Sequence, residues 1–191
     1  MEEGLISDRR RSVIRTLRVD DDIDAALREE ADRTGVSVNV IASQVLRKWT
    51  DFNRFVDRYN ILQISRQIFF LVIQESSEEN LQKIAERSGK KLPSMLFELV
   101  SRPVNMDTVS KFYLKQVLSR YEKWYEYESC VKSGSEKFIL RHDLGPKWSL
   151  FLKEFIHSGL KSCLDVDVKI DIINQTLQFS LQLEPAIQPK L

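Results

Sequence analysis

The sequence predicts an α+β chain: one strand and two helices at the N-terminus, a helical segment, and a ββαββ antiparallel-sheet domain. Three observations predict it. A short β-branched run precedes two stretches of helical apolar spacing in the first fifty residues. Helical periodicity then continues over residues 65–123, and from residue 124 the apolar period changes to two. At 191 residues with 42% apolar side chains, the chain is long enough for one or two domains with a real core.

Taken in order, Val13-Ile14-Arg15-Thr16-Leu17-Arg18-Val19 reads as a strand, with Leu17 and Val19 on one face and Thr16 and Arg18 on the other. Asp20 is the expected N-cap of a first helix, and Asp21, Asp22 and Asp24 suit its positive end. Ile23, Leu27, Ala31 and Thr34 recur at helical spacing through Ala25–Arg33, and Gly35 is the natural stop. Ser37 then caps a second helix with a stripe of Val38, Ile41, Ala42, Val45, Leu46 and Trp49, continuing through Phe52, Phe55 and Val56 toward Arg58. Seven strand residues and two short helices cannot bury these stripes alone. Burial therefore implies an intertwined dimer in which two strands pair.

The run Arg15-Thr16-Leu17-Arg18-Val19-Asp20, a helix, and then Thr34-Gly35-Val36-Ser37-Val38-Asn39 opening a second helix resembles the ribbon-helix-helix DNA-binding superfamily of the MetJ, Arc and CopG type. The resemblance covers residues 12 to 50, about a quarter of the chain, and rests on the order of elements. It implies an obligate dimer whose outward strand residues enter the major groove of double-stranded DNA. Those would be Ile14, Thr16 and Arg18, with Arg18 able to pair bidentately with guanine. Ile14 departs from the usual polar choice, and Arg15 takes a place normally facing the core, from which it is expected to swing to phosphate. The start of the second helix, at Ser37, Val38 and Asn39, would hold a phosphate on its free N–H groups. Arg9, Arg10 and Arg11 would lie as a basic arm along the backbone.

Beyond the linker, Tyr59–Ile64 reads as a connector or short strand. Ser65 caps a helix carrying Ile68–Ile73, and Ser76 or Ser77 caps another that ends before Gly89. Lys91-Leu92-Pro93-Ser94 begins a short helix through Val100, and Asp107–Lys123 is a long amphipathic helix. Tyr125, Tyr127, Ser129 and Val131 alternate in a first strand, with Lys137–Asp143 as a second. Gly145 and Pro146 open a helix bearing Trp148, Phe151, Leu152, Phe155, Gly159 and Cys163. Val166–Ile172 and Leu177–Leu183 complete the sheet. The expected domains are residues 1–58, the DNA-binding module with its arm, and 59–183, an α+β sensing or oligomerisation domain. The latter is helical over 65–123 and ββαββ over 124–183, and residues 184–191 form a tail.

Arg141-His142-Asp143-Leu144-Gly145-Pro146-Lys147-Trp148-Ser149 joins a strand to a helix and is similar to His-Asp-Leu-Gly segments of uncharacterised archaeal proteins, to which no activity attaches. A His-Asp pair can orient an imidazole for base catalysis. His142, however, shares strand parity with Phe138 and Leu140 and is expected as a satisfied core histidine. Cys130, Cys163, His142 and His157 show no metal-ligand spacing, so neither metal nor other cofactor is expected. No P-loop, GxGxxG or GxSxG is present, and no enzyme activity is expected. Trp124, Tyr125, Tyr127 and Trp148 are read as core aromatics sooner than as a ligand pocket.

Net charge is +1, which does not fit a nonspecific nucleic-acid coat. The longest apolar run is Ile68–Ile73, too short to span a bilayer of roughly 30 Å. No signal peptide and no disulfide framework are evident, so a cytoplasmic setting without membrane partners is expected. The leading functional expectation is a sequence-specific transcriptional regulator, a repressor, binding DNA as a homodimer or a tetramer. A small molecule or protein would act as effector at the C-terminal domain. The alternatives are an antitoxin-like protein whose C-terminal domain binds a partner protein, and an enzyme tethered to DNA at His142 and Asp143.

Overall fold

A computed structural model describes residues 13–56 and 64–182. The arm Arg9–Arg11, most of the segment 59–64 and the tail 184–191 lie outside the described residues. The chain divides into two units, Met1–Arg47 and Lys48–Leu191.

The first unit corrects the predicted fold. Val13–Asp20 carries no strand, and regular structure begins with helix α1, Asp21–Thr34, so a ribbon-helix-helix is not what the chain forms here. The physical reason is that a strand is held by hydrogen bonds to a neighbour, and among the described residues none pairs with this run. The four strands among the described residues lie after residue 125, where each has a partner. Asp20 occupies the N-cap position with extended backbone (φ −73°, ψ 156°). It caps through its carbonyl, which accepts from Asp24 N–H at 3.0 Å, and its side chain makes no capping bond. Asp21, Asp22 and Asp24 do sit in the first turn, and Gly35 ends the helix at φ 69°, as its lack of a Cβ permits. Helix α2, Val38–Lys48, starts after Ser37, whose hydroxyl accepts from Val40 N–H at a long 3.4 Å. Only Ala31 and Ile41 are buried in these two helices.

The second unit opens with a π-helical stretch, Trp49–Asn53, and a helical turn at Arg54–Val56. Helix α3, Arg66–Glu75, is capped by Ser65, and α4, Glu78–Leu99, by Ser77. Two predicted helices are one. Helix α4 passes straight through Gly89 and Pro93, because tertiary packing overrides both breaking signals. A Cβ at Gly89 would run into the Phe155 carbonyl, so glycine is what lets α4 approach helix α6, Pro146–Leu164. Helix α5, Thr108–Tyr121, is π-helical and closes with Glu122 N–H donating to Val117.

The sheet has the order β1-β2-β4-β3, antiparallel throughout. Strands β1, Glu126–Lys132, and β2, Ser135–Arg141, are joined by Ser133 and Gly134, both at positive φ as a tight hairpin requires. Strand β3 is shorter than its alternation suggests: only Asp171–Ile173 pairs with β4, Thr176–Gln182. Val168 and Ile170 are buried without joining the ladder, so period two there recorded burial and not pairing. Phe138 stacks on its cross-strand neighbour Phe179 at 4.7 Å, and Leu140 opposes Leu177. This face belongs to one core with Leu152, Phe155 and Leu160 of α6 and with Leu81, Ala85 and Phe97 of α4.

Candidate functional site

Of the residues expected to meet DNA, the structure describes Ile14, Arg15, Thr16, Arg18, Ser37, Val38 and Asn39, all in the first unit. Every residue from 13 to 20 is exposed, Ile14 to 93%. Arg15, Thr16 and Arg18 make no hydrogen bond or ion pair among the described residues. Ser37 and Asn39 are exposed at the start of α2, and Val38 is half-buried. The first turn of α2 bears no acidic residue, so nothing opposes an anion at its positive end. Apolar side chains are equally uncovered: Leu17 is 64% exposed, Ile23 47%, Val45 57% and Leu46 51%. The unit therefore leaves a cationic strip and a broad apolar surface without partners.

Every polar side chain of the motif spanning residues 141–149 has a partner. Arg141 pairs with Glu128 across the β1–β2 ladder at 2.5 Å, and Asp143 pairs with Arg66 at the start of α3. Leu144 N–H donates to His142 Nδ1 at 3.3 Å, which leaves the imidazole proton on Nε2, directed at Ser149 Oγ 2.9 Å away. Burial, with the Arg66 guanidinium nearby, lowers the His142 pKa from 6.5 to about 4. Gly145 N–H donates to Gln175 Oε1 at 2.7 Å, and the Lys147 ammonium donates to the carbonyls of Gln74 and Ser76 at 2.5 and 2.8 Å. His142 is thus a neutral donor to a buried hydroxyl. It is not a base that activates Ser149, and its neighbour Asp143 faces Arg66 instead of the imidazole.

The soft ligands do not converge. Cys163 contacts Ser94, His157 contacts Asp167, and Cys130 is exposed on β1. Among the described residues no three His, Cys, Asp or Glu side chains are grouped to hold a metal. The aromatic residues are mainly core. Trp148 is buried, donates its indole N–H to the Trp124 carbonyl at 3.2 Å and stacks on Phe151 at 4.6 Å. Tyr125 is buried with its hydroxyl on Leu114 O, whereas Val131, expected on the same face, is 64% exposed at the far end of the edge strand.

One constellation is not visible in the local sequence. Arg66, Arg120, Lys123 and Arg141 line a single cleft of about 680 Å³ beside His142 and Asp143. Local patterning could not reveal it, since the four come from α3, the end of α5 and β2, and only the fold assembles them. Among the described residues no helix is long and apolar enough to cross a membrane. No protein-family model and no curated protein matches the sequence.

Proposed function

We propose that the protein is a sequence-specific DNA-binding transcriptional regulator, acting as a homodimer through its N-terminal unit. The observation that carries this reading is the run of exposed, unpaired Arg15, Thr16 and Arg18 in the same unit as the acid-free start of α2. Arg18 and Thr16 supply donors for base edges, with Ile14 offering an apolar contact. Arg15, the α2 N–H groups at Ser37 to Asn39 and the arm at Arg9, Arg10 and Arg11 address phosphate. Uncovered Leu17, Ile23, Val45 and Leu46 supply the surface by which two copies meet. The antitoxin-like alternative draws less support, because residues 64–182 already bury a core without a partner chain.

The test is selection of bound fragments from genomic DNA, followed by titration of the recovered site. Arg18→Ala weakens specific binding by about 1–3 kcal/mol and relaxes base preference at one position. Equal affinity of the two proteins for that site would remove Arg18 from base readout. Failure to enrich any sequence would remove the function itself.

A further inference from the structure

We propose that the cleft between the start of α3, the end of α5 and strands β1 and β2 binds a small phosphomonoester whose remainder carries hydroxyl or amino groups. The inference does not depend on what the N-terminal unit binds, since every residue in it belongs to the second unit.

Charge selects the anion. Four cations line the cleft against two acids, Glu126 and Asp143, on a chain whose net charge is only +1. Two of the four are already engaged: Arg66 with Asp143, and Arg141 with Glu128. Arg120 and Lys123 form no ion pair among the described residues. Arg120 and Lys123 line one cavity without a counter-charge of their own, and a phosphomonoester of charge about −1.5 to −2 supplies one for both. A single carboxylate would supply only one.

Arg66, Arg141 and the turn that carries Lys123 are held in place before any ligand arrives. Lys123 sits at φ 59°, and its carbonyl accepts from Arg66 Nη1 at 3.3 Å while the next residue, Trp124, donates its N–H to Leu118 O at 2.9 Å. Arg66 is thereby tied both to Asp143 and to the turn that carries Lys123. Arg141, His142 and Asp143, the first residues of the 141–149 motif, line the same cleft. A site whose parts are positioned in advance spends less of the binding free energy on ordering them.

Size selects the remainder. A cavity of about 680 Å³ is far larger than an inorganic anion needs and lies within the usual range for metabolite sites, ~300–1,000 Å³. Glu126 is exposed and has no ion-pair partner among the described residues, so its carboxylate is free to accept from a hydroxyl or amine of the ligand. His142 donates its Nε2 proton to Ser149 and accepts at Nδ1 from Leu144, so both ring nitrogens are already engaged.

The test is calorimetric titration of the full chain with ribose 5-phosphate, adenosine 5′-monophosphate, adenosine, inorganic phosphate and a DNA duplex. Wild type is compared with a doubly substituted Arg120→Ala, Lys123→Gln protein and with a Val131→Thr control. The two phosphomonoesters bind, adenosine does not, inorganic phosphate binds more weakly, and raising the salt weakens every phosphate complex. The double variant loses at least about tenfold in affinity for the phosphomonoesters with an unchanged circular dichroism spectrum, and the control loses nothing. Equal binding of adenosine and its monophosphate overturns the proposal, as does undiminished binding by the double variant or no binding of either phosphomonoester. A duplex that loses affinity in the double variant, when the small esters never bound, makes the cleft a nucleic-acid backbone contact and also overturns it.

Discussion

His142 Nε2 and Ser149 Oγ lie 2.9 Å apart, with Leu144 N–H on the opposite ring nitrogen, so one imidazole links the end of β2 to the first turns of α6. Ser149 is almost fully buried. Protonating Nδ1 would break the bond from Leu144 and place a cation beside Arg66.

That arrangement makes stability depend on pH in a definite direction. The folded-state pKa of His142 is about 4, below the unfolded value near 6.5, so below that value the unfolded chain binds more protons than the folded one. Its contribution is fully present above pH 6.5 and is lost as pH falls through about 4. Urea unfolding at a series of pH values measures this. His142→Asn flattens the fall between those limits, whereas the carboxylate-driven loss at lower pH is common to both proteins. Identical pH profiles for the two would show that His142 does not titrate differently on folding.

Gly89 makes a second, sharper demand. Its absent side chain is the space that the Phe155 carbonyl occupies, and backbone cannot move aside as a side-chain tip can. Gly89→Ala destabilises by about 1–3 kcal/mol or more through overpacking, despite alanine's better helix propensity. Gly159 lies in the same helix crossing, but a Cβ there would meet the Gly89 oxygen and Pro93 Cγ at 3.4 Å, an ordinary contact. Gly159→Ala is therefore within about 1 kcal/mol of neutral on the propensity scale. Urea midpoints for the two variants discriminate, and similar losses would contradict the geometry.

Lys147 ties α3 to α6 by donating to the Gln74 and Ser76 carbonyls at the end of α3. Lys147→Met keeps the stem and removes the donors. It costs about 1–3 kcal/mol as two carbonyls lose their charged partner, and faster amide exchange appears in the last turn of α3. An unchanged exchange pattern would mean that water replaces the ammonium without penalty.

Much of the fold was legible where local rules and tertiary packing agreed. Ser65 and Ser77 cap α3 and α4 as their positions suggest, and the alternation of Phe138 and Leu140 matches a buried face. Local sequence misleads where a partner decides the outcome. Gly89 reads as a stop because its neighbour on α6 is not visible in local sequence, and Val13–Val19 reads as a strand although no described residue pairs with it. The cationic cleft was illegible for the same reason: Arg66 and Arg141 are separated by most of the second unit and meet only through Asp143 and its motif.

The N-terminal unit supplies the last prediction. Two helices with Ala31 and Ile41 as their buried residues cannot account for their own stability, since most of their apolar surface remains in water. Burying Leu17, Ile23, Val45 and Leu46 against a second copy would contribute about 1.5–3 kcal/mol for each aliphatic side chain fully covered. Sedimentation equilibrium on the full chain is thus expected to show a dimer, with a melting temperature that rises with protein concentration. Leu46→Asp shifts the mass toward monomer and weakens DNA binding with it, while its second unit still melts cooperatively. A monomeric wild-type protein that nonetheless binds a single recovered site tightly would separate DNA binding from dimerisation and overturn this account of the apolar surface.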